Sequence, residues 1–191
     1  MDDLKRALND YFDYLETERR YSKNTIMAYR NDLEYFKEWL KNHEQEGSWQ
    51  NDLKSINHHI IRKFLNNLNG HGYEKRSLNR KIATLRSFFK YLTRQELIDS
   101  NPMVHIISPK SPKSLPKFMY EYQVELLLNS PDTDTQIGKR DKAIMEILYA
   151  SGIRVGELVE IRKRDIDMEM GTINVTGKGN KQRIVPIGSY A

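Results

Sequence analysis

Residues 149–188 read YASGIRVGELVEIRKRDIDMEMGTINVTGKGNKQRIVPIG. Gly152 stands where a helix from about residue 139 should stop, because helix C-termini favour a left-handed residue that glycine supplies without steric cost. Arg154 follows at once, before a short helix expected from Glu157 to about Arg164. Between Gly171 and Thr176 apolar and polar residues alternate with period two. Gly177-Lys178-Gly179-Asn180 comes next, then the run Arg183 to Ile187. Strand, glycine-rich turn and strand make a hairpin.

Two cations in this stretch carry candidate chemistry. Arg154 lies between two helices, where a guanidinium can donate two parallel hydrogen bonds to a phosphate beside helix-start amides. Spacing alone points as readily to a structural arginine paired with Glu157. Lys178 sits on the hairpin tip, from which an ammonium can reach a phosphate or a leaving oxygen. Basic hairpin tips are more often merely solvated. A phosphate-loop reading of Gly177-Lys178 fails: that motif needs four residues between its first glycine and Gly-Lys, then Ser or Thr, and a helix after the strand. Here Lys178 precedes Gly179, and a strand follows. His43, His58, His59, His71 and His105 show no metal-ligand spacing, so no metal site is expected.

Working upstream, helices are expected near 139–151 (Ile144, Ile147, Leu148) and 120–129 (Tyr122, Val124, Leu127). Residues 108–117 read SPKSPKSLPK. Proline removes helix donors and favours extended backbone, so this is a semi-rigid basic linker. Before it lie four amphipathic helices. The first turns Leu4, Leu8, Tyr11, Phe12 and Leu15 inward. The second, capped by Ser22, turns in Ile26, Tyr29, Leu33, Phe36 and Leu40. A polar break covers 43–52. The third carries Ile60, Ile61, Phe64, Leu65 and Leu68 and stops near Gly70 and Gly72. The fourth, from about Ser77, carries Leu78, Ile82, Leu85, Phe88, Phe89 and Leu92. Four such helices close a bundle around one core. The expected organisation is a mainly α chain: a helical domain over 1–107, a linker over 108–117, and an α+β portion over 118–191. The last portion would be marginal alone, and the chain is expected to be a truncated piece of a longer protein.

Composition narrows the partners. Apolar residues make up 38% and charged residues 30%, with no cysteine, so disulfides and thiolate metal sites are excluded. No run approaches the roughly 18 apolar residues of a membrane helix, and the N-terminus does not read as a secretory signal. A cytoplasmic protein that meets no membrane is expected. The formal net charge is only +5, so distribution decides. Residues 75–94 hold Lys75, Arg76, Arg80, Lys81, Arg86, Lys90 and Arg94 with no acid, the footprint of a phosphate-facing helix.

Taken together, YASGIRVGELVEIRKRDID (149–167) and INVTGKGNKQRIVPIG (173–188) resemble the tyrosine recombinases, most closely the bacterial Xer recombinases. ERRYSKNTIMAYRNDLEYF (18–36) and SLNRKIATLRSFFKYL (77–92), followed by Asn101-Pro102, extend the match along nearly the whole chain in family order. The resemblance implies a SAM-like core-binding domain whose second and fourth helices cross the major groove of double-stranded DNA. Ser77, Asn79, Arg80, Lys81, Thr84 and Arg86 are then the expected DNA contacts, with Asn79 or Arg80 reaching base edges. A catalytic domain would close on the duplex from the opposite side.

The family's reaction implies no metal and no small-molecule cofactor. A tyrosine attacks a phosphodiester to give a 3′-phosphotyrosyl link, and arginines stabilise the charge on phosphoryl oxygens. A hairpin lysine protonates the leaving 5′ oxygen. Arg154 matches the first catalytic arginine and Lys178 the hairpin lysine. The second arginine, the His/Trp positions and the nucleophile have no match among these residues, and Tyr190 directly after the hairpin is not that tyrosine. The 191 residues are therefore expected to bind duplex DNA without cleaving it. In the whole protein the resemblance implies a tetramer of recombinase subunits on DNA, with a nucleoid-associated role tilted towards chromosome-dimer resolution over phage or transposon integration. Two rivals remain: a non-catalytic DNA-binding accessory protein, and a helical protein–protein module with no affinity for DNA.

Overall fold

A computed structural model describes residues 2–43, 52–110, 118–177 and 179–187. Chain contacts divide it into two compact units, Met1–Ser114 and Leu115–Ala191.

In the first unit the apolar periodicity becomes four helices: α1 (Asp2–Thr17), α2 (Lys23–Asn42), α3 (His58–Gly70) and α4 (Lys75–Arg94), with a 3-10 turn at Leu53–Ser55 before α3. Ser22 caps α2 by accepting a hydrogen bond from the Thr25 amide. Asn57 caps α3 through the amides of His59 and Ile60. Both caps satisfy donors that a helix start leaves unpaired. Helix α4 packs against α1, α2 and α3, so it forms the centre of the bundle. Its Phe88 meets Tyr11 edge-on at 5.3 Å, and Phe36 of α2 meets Phe64 of α3 the same way at 4.9 Å. Tyr11, Phe36, Phe64, Phe88, Phe89 and Leu92 are completely or almost completely buried. Fully burying such side chains contributes roughly 1.5–3 kcal/mol each.

One polar cluster interrupts this core. Asp32 on α2 is 2% exposed. Its Oδ1 accepts from Lys81 Nζ at 3.0 Å, and its Oδ2 accepts from Arg80 Nη1 at 2.6 Å and from the Thr84 hydroxyl at 3.0 Å. The Lys81 ammonium also lies 4.7 Å from the ring of Tyr35 and 5.3 Å from that of Tyr73. A buried charge is tolerated when paired and hydrogen-bonded in this way. The cluster fixes how α4 lies on α2.

The second unit contains α5 (Glu121–Leu128), α6 (Gln136–Ser151), α7 (Val155–Val159), a 3-10 turn at Lys163–Asp165, and strands β1 (Ile166–Asp167), β2 (Thr172–Gly177) and β3 (Lys181–Pro186). The sheet is antiparallel in the order β1-β2-β3, with Val175 opposite Arg183 and Gly177 opposite Lys181. Gly152 ends α6 in the left-handed conformation at φ 62°. Ile153, Ile173 and Val175 form the small buried centre, with Ile147, Leu148, Leu158 and Val185 packed around it.

Two expectations need correction. The helix after Arg154 spans only 155–159, because the chain re-forms as a 3-10 turn before β1. Strand β1 was not expected; two residues are too few for a period-two pattern to register. Residues 44–51 of the polar break at 43–52, and 111–117 of the expected linker at 108–117, lie outside the described residues.

Replacing Asp32 by Ala strands the buried Lys81 ammonium and is expected to destabilise the first unit by about 3–5 kcal/mol. Asp32→Leu combined with Lys81→Met should recover most of that loss. Both tryptophans, Trp39 and Trp49, precede residue 115 in the sequence and none follows it, so urea unfolding followed by tryptophan fluorescence reads the first unit separately. Equal stability of Asp32→Ala and wild type would show that the cluster is energetically idle.

Candidate phosphate-binding site

The second unit brings Arg154 to the hairpin through one carboxylate. Glu157, on the first turn of α7, is 6% exposed. Its Oε2 accepts from the Arg154 backbone amide at 2.9 Å, in the manner of a capping box. Arg183 on β3 grips it with both arms, Nη1 to Oε1 at 2.9 Å and Nη2 to Oε2 at 2.8 Å. Arg154 Nη1 donates to Oε1 at 3.1 Å. Bidentate guanidinium–carboxylate pairing fixes geometry as well as charge.

Of the two sequence readings of Arg154, the structure contains the pairing with Glu157. The Arg154 side chain is nevertheless 79% exposed. One nitrogen is tethered while the remaining face of the guanidinium is open to solvent. Such a group is pre-oriented to receive an anion. Arg183, at 41% exposure, spends both arms on Glu157.

The hairpin end stands close to the same carboxylate. A Cβ on Gly177 would come within 3.2 Å of both Arg183 Nη1 and Glu157 Oε1. The absence of a side chain at Gly177 lets the start of the turn approach the charge cluster. Lys178, the next residue, lies outside the described residues. No group of His, Asp or Glu able to hold a metal occurs among the described residues.

The six expected DNA contacts on α4 separate into three kinds. Thr84 is fully buried and Lys81 is 6% exposed, both turned onto Asp32. Both occupy core positions in this structure. Asn79 donates through Nδ2 to the Pro109 carbonyl at 2.9 Å, and Arg86 donates to the Ile106 carbonyl at 2.9 Å. These two fasten the segment that follows the bundle. Ser77 is half-buried. Arg80 remains on the surface, with Nη1 held by Asp32 and the Ala28 carbonyl.

The outward stripe of α4 is instead exposed Arg76, Arg80, Ala83, Lys90 and Arg94, with half-buried Ser87 among them, spaced four, three, four, three and four apart. That spacing puts residues on one helix face. Arg76, Lys90 and Arg94 were absent from the expected contacts, although the same periodicity that located the core would have selected them.

A helical bundle with a basic helix face, followed by a unit that sets an open guanidinium beside a glycine-containing hairpin, is the architecture expected of tyrosine recombinases. Residues 8–96 match the family model for the phage integrase N-terminal SAM-like domain, and residues 117–191 match that for the phage integrase family. The chain belongs to the phage integrase family of tyrosine recombinases. It is 39% identical over its full length to the tyrosine recombinase XerC of Oceanobacillus iheyensis, of which it covers 61%. It is 41% identical over 94% of its length to the tyrosine recombinase XerC of Staphylococcus aureus strain JH9, covering 58% of that protein. The chain thus spans about three-fifths of the length of these relatives. Among solved structures, a lambda integrase tetramer bound to a Holliday junction superposes with a TM-score of 0.73 at 19% identity, covering 96% of this chain and 48% of that one. That likeness shows the fold.

The Arg183 fork, then the Arg154 amide, hold the Glu157 carboxyl down at about 2, against an ordinary value of 4.5. Because the folded value is depressed, the stabilisation is complete above pH 4.5 and is lost as pH falls through about 2. Carboxyl-detected NMR titration is expected to place the Glu157 midpoint near 2, and Arg183→Gln should move it back towards 4.5. A wild-type midpoint near 4.5 would mean that the fork is not formed in solution.

Proposed function

We propose that these residues belong to a site-specific DNA recombinase that breaks and rejoins strands through a 3′-phosphotyrosyl intermediate. The first unit holds duplex DNA through the basic face of α4. In the second unit Arg154 donates to the non-bridging oxygens of the phosphate under attack. It stabilises the charge that grows there in the transition state, with Glu157 and Arg183 fixing its position. Lys178 acts as the general acid that delivers a proton to the departing 5′ oxygen. The attacking tyrosine and the second arginine belong to the remainder of the protein. Chromosome-dimer resolution, by recombinase subunits assembled as a tetramer on DNA, is the biological role we favour. The relatives bearing the XerC name support that choice over a phage or transposon integrase.

The observation that carries this reading is the tethered yet open guanidinium of Arg154, held by the carboxylate against which Gly177 packs. Arg183, whose role is structural, has both arms engaged by Glu157, whereas Arg154 donates through one. Among the described residues no helix is long and apolar enough to cross a membrane. A non-catalytic DNA-binding accessory protein would share the α4 face but would have no use for an arginine so arranged.

Each phosphate contact adds about −0.9 to the slope of log affinity against log salt. Fluorescence anisotropy on a duplex oligonucleotide is expected to show steep salt dependence for wild type. Arg76→Gln and Arg80→Gln should each flatten the slope by up to about one contact's worth. Lys81→Met, tested with Asp32→Leu so that the bundle keeps its stability, should leave the slope unchanged. Salt-independent or undetectable binding by a folded wild-type chain would refute the DNA reading and favour a protein–protein module.

A further inference from the structure

The basic face of α4 runs into a pocket. A cavity of about 190 Å³ lies between the end of α1, the turn after it and the C-terminal half of α4. Tyr14 and Tyr91 form one wall, with ring centroids 5.0 Å apart in a stacked pair. The Arg94 guanidinium lies 4.6 Å from the Tyr14 ring and donates to its hydroxyl at 3.2 Å. Arg19 stands 5.8 Å from the ring of Tyr21 on the other side, and Lys90 completes the lining. Three cations therefore line one small space that no carboxylate among the described residues lines.

The turn that carries Arg19 and Tyr21 is held in a costly conformation. The Tyr21 amide donates to the Leu15 carbonyl at 2.9 Å, closing the end of α1, and Arg20 between them has a positive φ of 50°. A left-handed non-glycine residue costs roughly 1–2 kcal/mol. The geometry that holds Arg19 and Tyr21 against α4 is maintained at that cost.

Size and charge select the occupant. Sites for whole small molecules typically run from about 300 Å³ upward. This pocket is smaller than that and has room for a tetrahedral oxyanion. Lys90 and Arg19 have no carboxylate partner among the described residues. Arg94 reaches Glu18 at 3.8 Å with both side chains more than half exposed, a pairing of little energetic weight. Asp10 and Asp13 act on Tyr91 from α1 but lie outside the lining. Coulomb energy falls with distance, so a phosphate in contact with Arg19, Lys90 and Arg94 outweighs those more distant carboxylates.

We propose that this pocket is an anchor for one backbone phosphate of duplex DNA. It would grip the strand flanking the groove in which the Arg76–Arg80 end of α4 lies. From Arg76 to Lys90 the helix rises about 21 Å at 1.5 Å per residue. That exceeds the ~12 Å width of the major groove, so the far end of the stripe reaches a bordering backbone. The proposal rests on the DNA-binding reading given above.

Two measurements on the 191-residue chain separate the pocket from that reading. In duplex titrations across a range of KCl, Lys90→Gln and Arg94→Gln are expected to weaken binding and each to flatten the salt slope by up to about 0.9. Glu18→Gln, which removes the competing carboxylate, is expected to tighten binding. In the second measurement, inorganic phosphate at constant ionic strength is followed through the ring resonances of Tyr14 and Tyr91. Duplex binding that is unchanged in all three variants overturns the anchor. Should wild type bind no duplex, the DNA reading fails and the phosphate titration decides. Saturable shifts abolished by Lys90→Gln then keep the pocket as a site for free phosphate, and no saturable shift overturns it.

Discussion

The second unit depends on the carboxylate of Glu157. Four donors converge on its two oxygens: both arms of Arg183, one arm of Arg154 and the Arg154 amide. The carboxylate thereby caps α7, ties that helix to β3, and orients a guanidinium that remains open to solvent. An exposed arginine on a flexible stem loses conformational entropy whenever it binds. Arg154 has part of that freedom removed before any anion arrives. Preorganised charge is the form of electrostatic catalysis that costs no rearrangement at the moment of reaction.

The first unit uses the same chemistry for a different end. Asp32 is a buried carboxylate held by Lys81, Arg80 and Thr84, and it draws the Lys81 ammonium into the core. The seven bases of α4 have different positions. Lys81 is consumed internally, Arg86 holds the chain after the bundle, Arg76, Arg80, Lys90 and Arg94 make the outward stripe, and Lys75 is exposed at the start of the helix. Charge counted along a sequence overstates the charge available to a partner, because some of it is neutralised inside.

Local signals were legible in the sequence. Ser22, Gly152 and the alternation from Gly171 to Thr176 each specify a conformation through their own backbone preference, and each appears as expected. The core of the bundle was legible for the same reason, since one helix face repeats regularly. Pairings between distant residues were not. Asp32 and Lys81 are 49 positions apart, and Glu157 and Arg183 are 26 apart. Neither spacing carries a periodic signature, so Lys81 and Thr84 read as surface contacts, and Arg183 read as an ordinary strand residue. Spacing alone located Arg154 without assigning it, because spacing says nothing of how much of a guanidinium its neighbours occupy; its expected role came from the family resemblance.

The central claim is that Arg154 meets a DNA phosphate while Arg183 serves only to hold Glu157. Guanidinium nitrogen NMR of the chain with and without saturating duplex tests this directly. The account predicts large shifts and slowed rotation at Arg154, with the Arg183 signals left in place. An Arg154 signal indifferent to saturating DNA, or one that moves only together with Arg183, would contradict it.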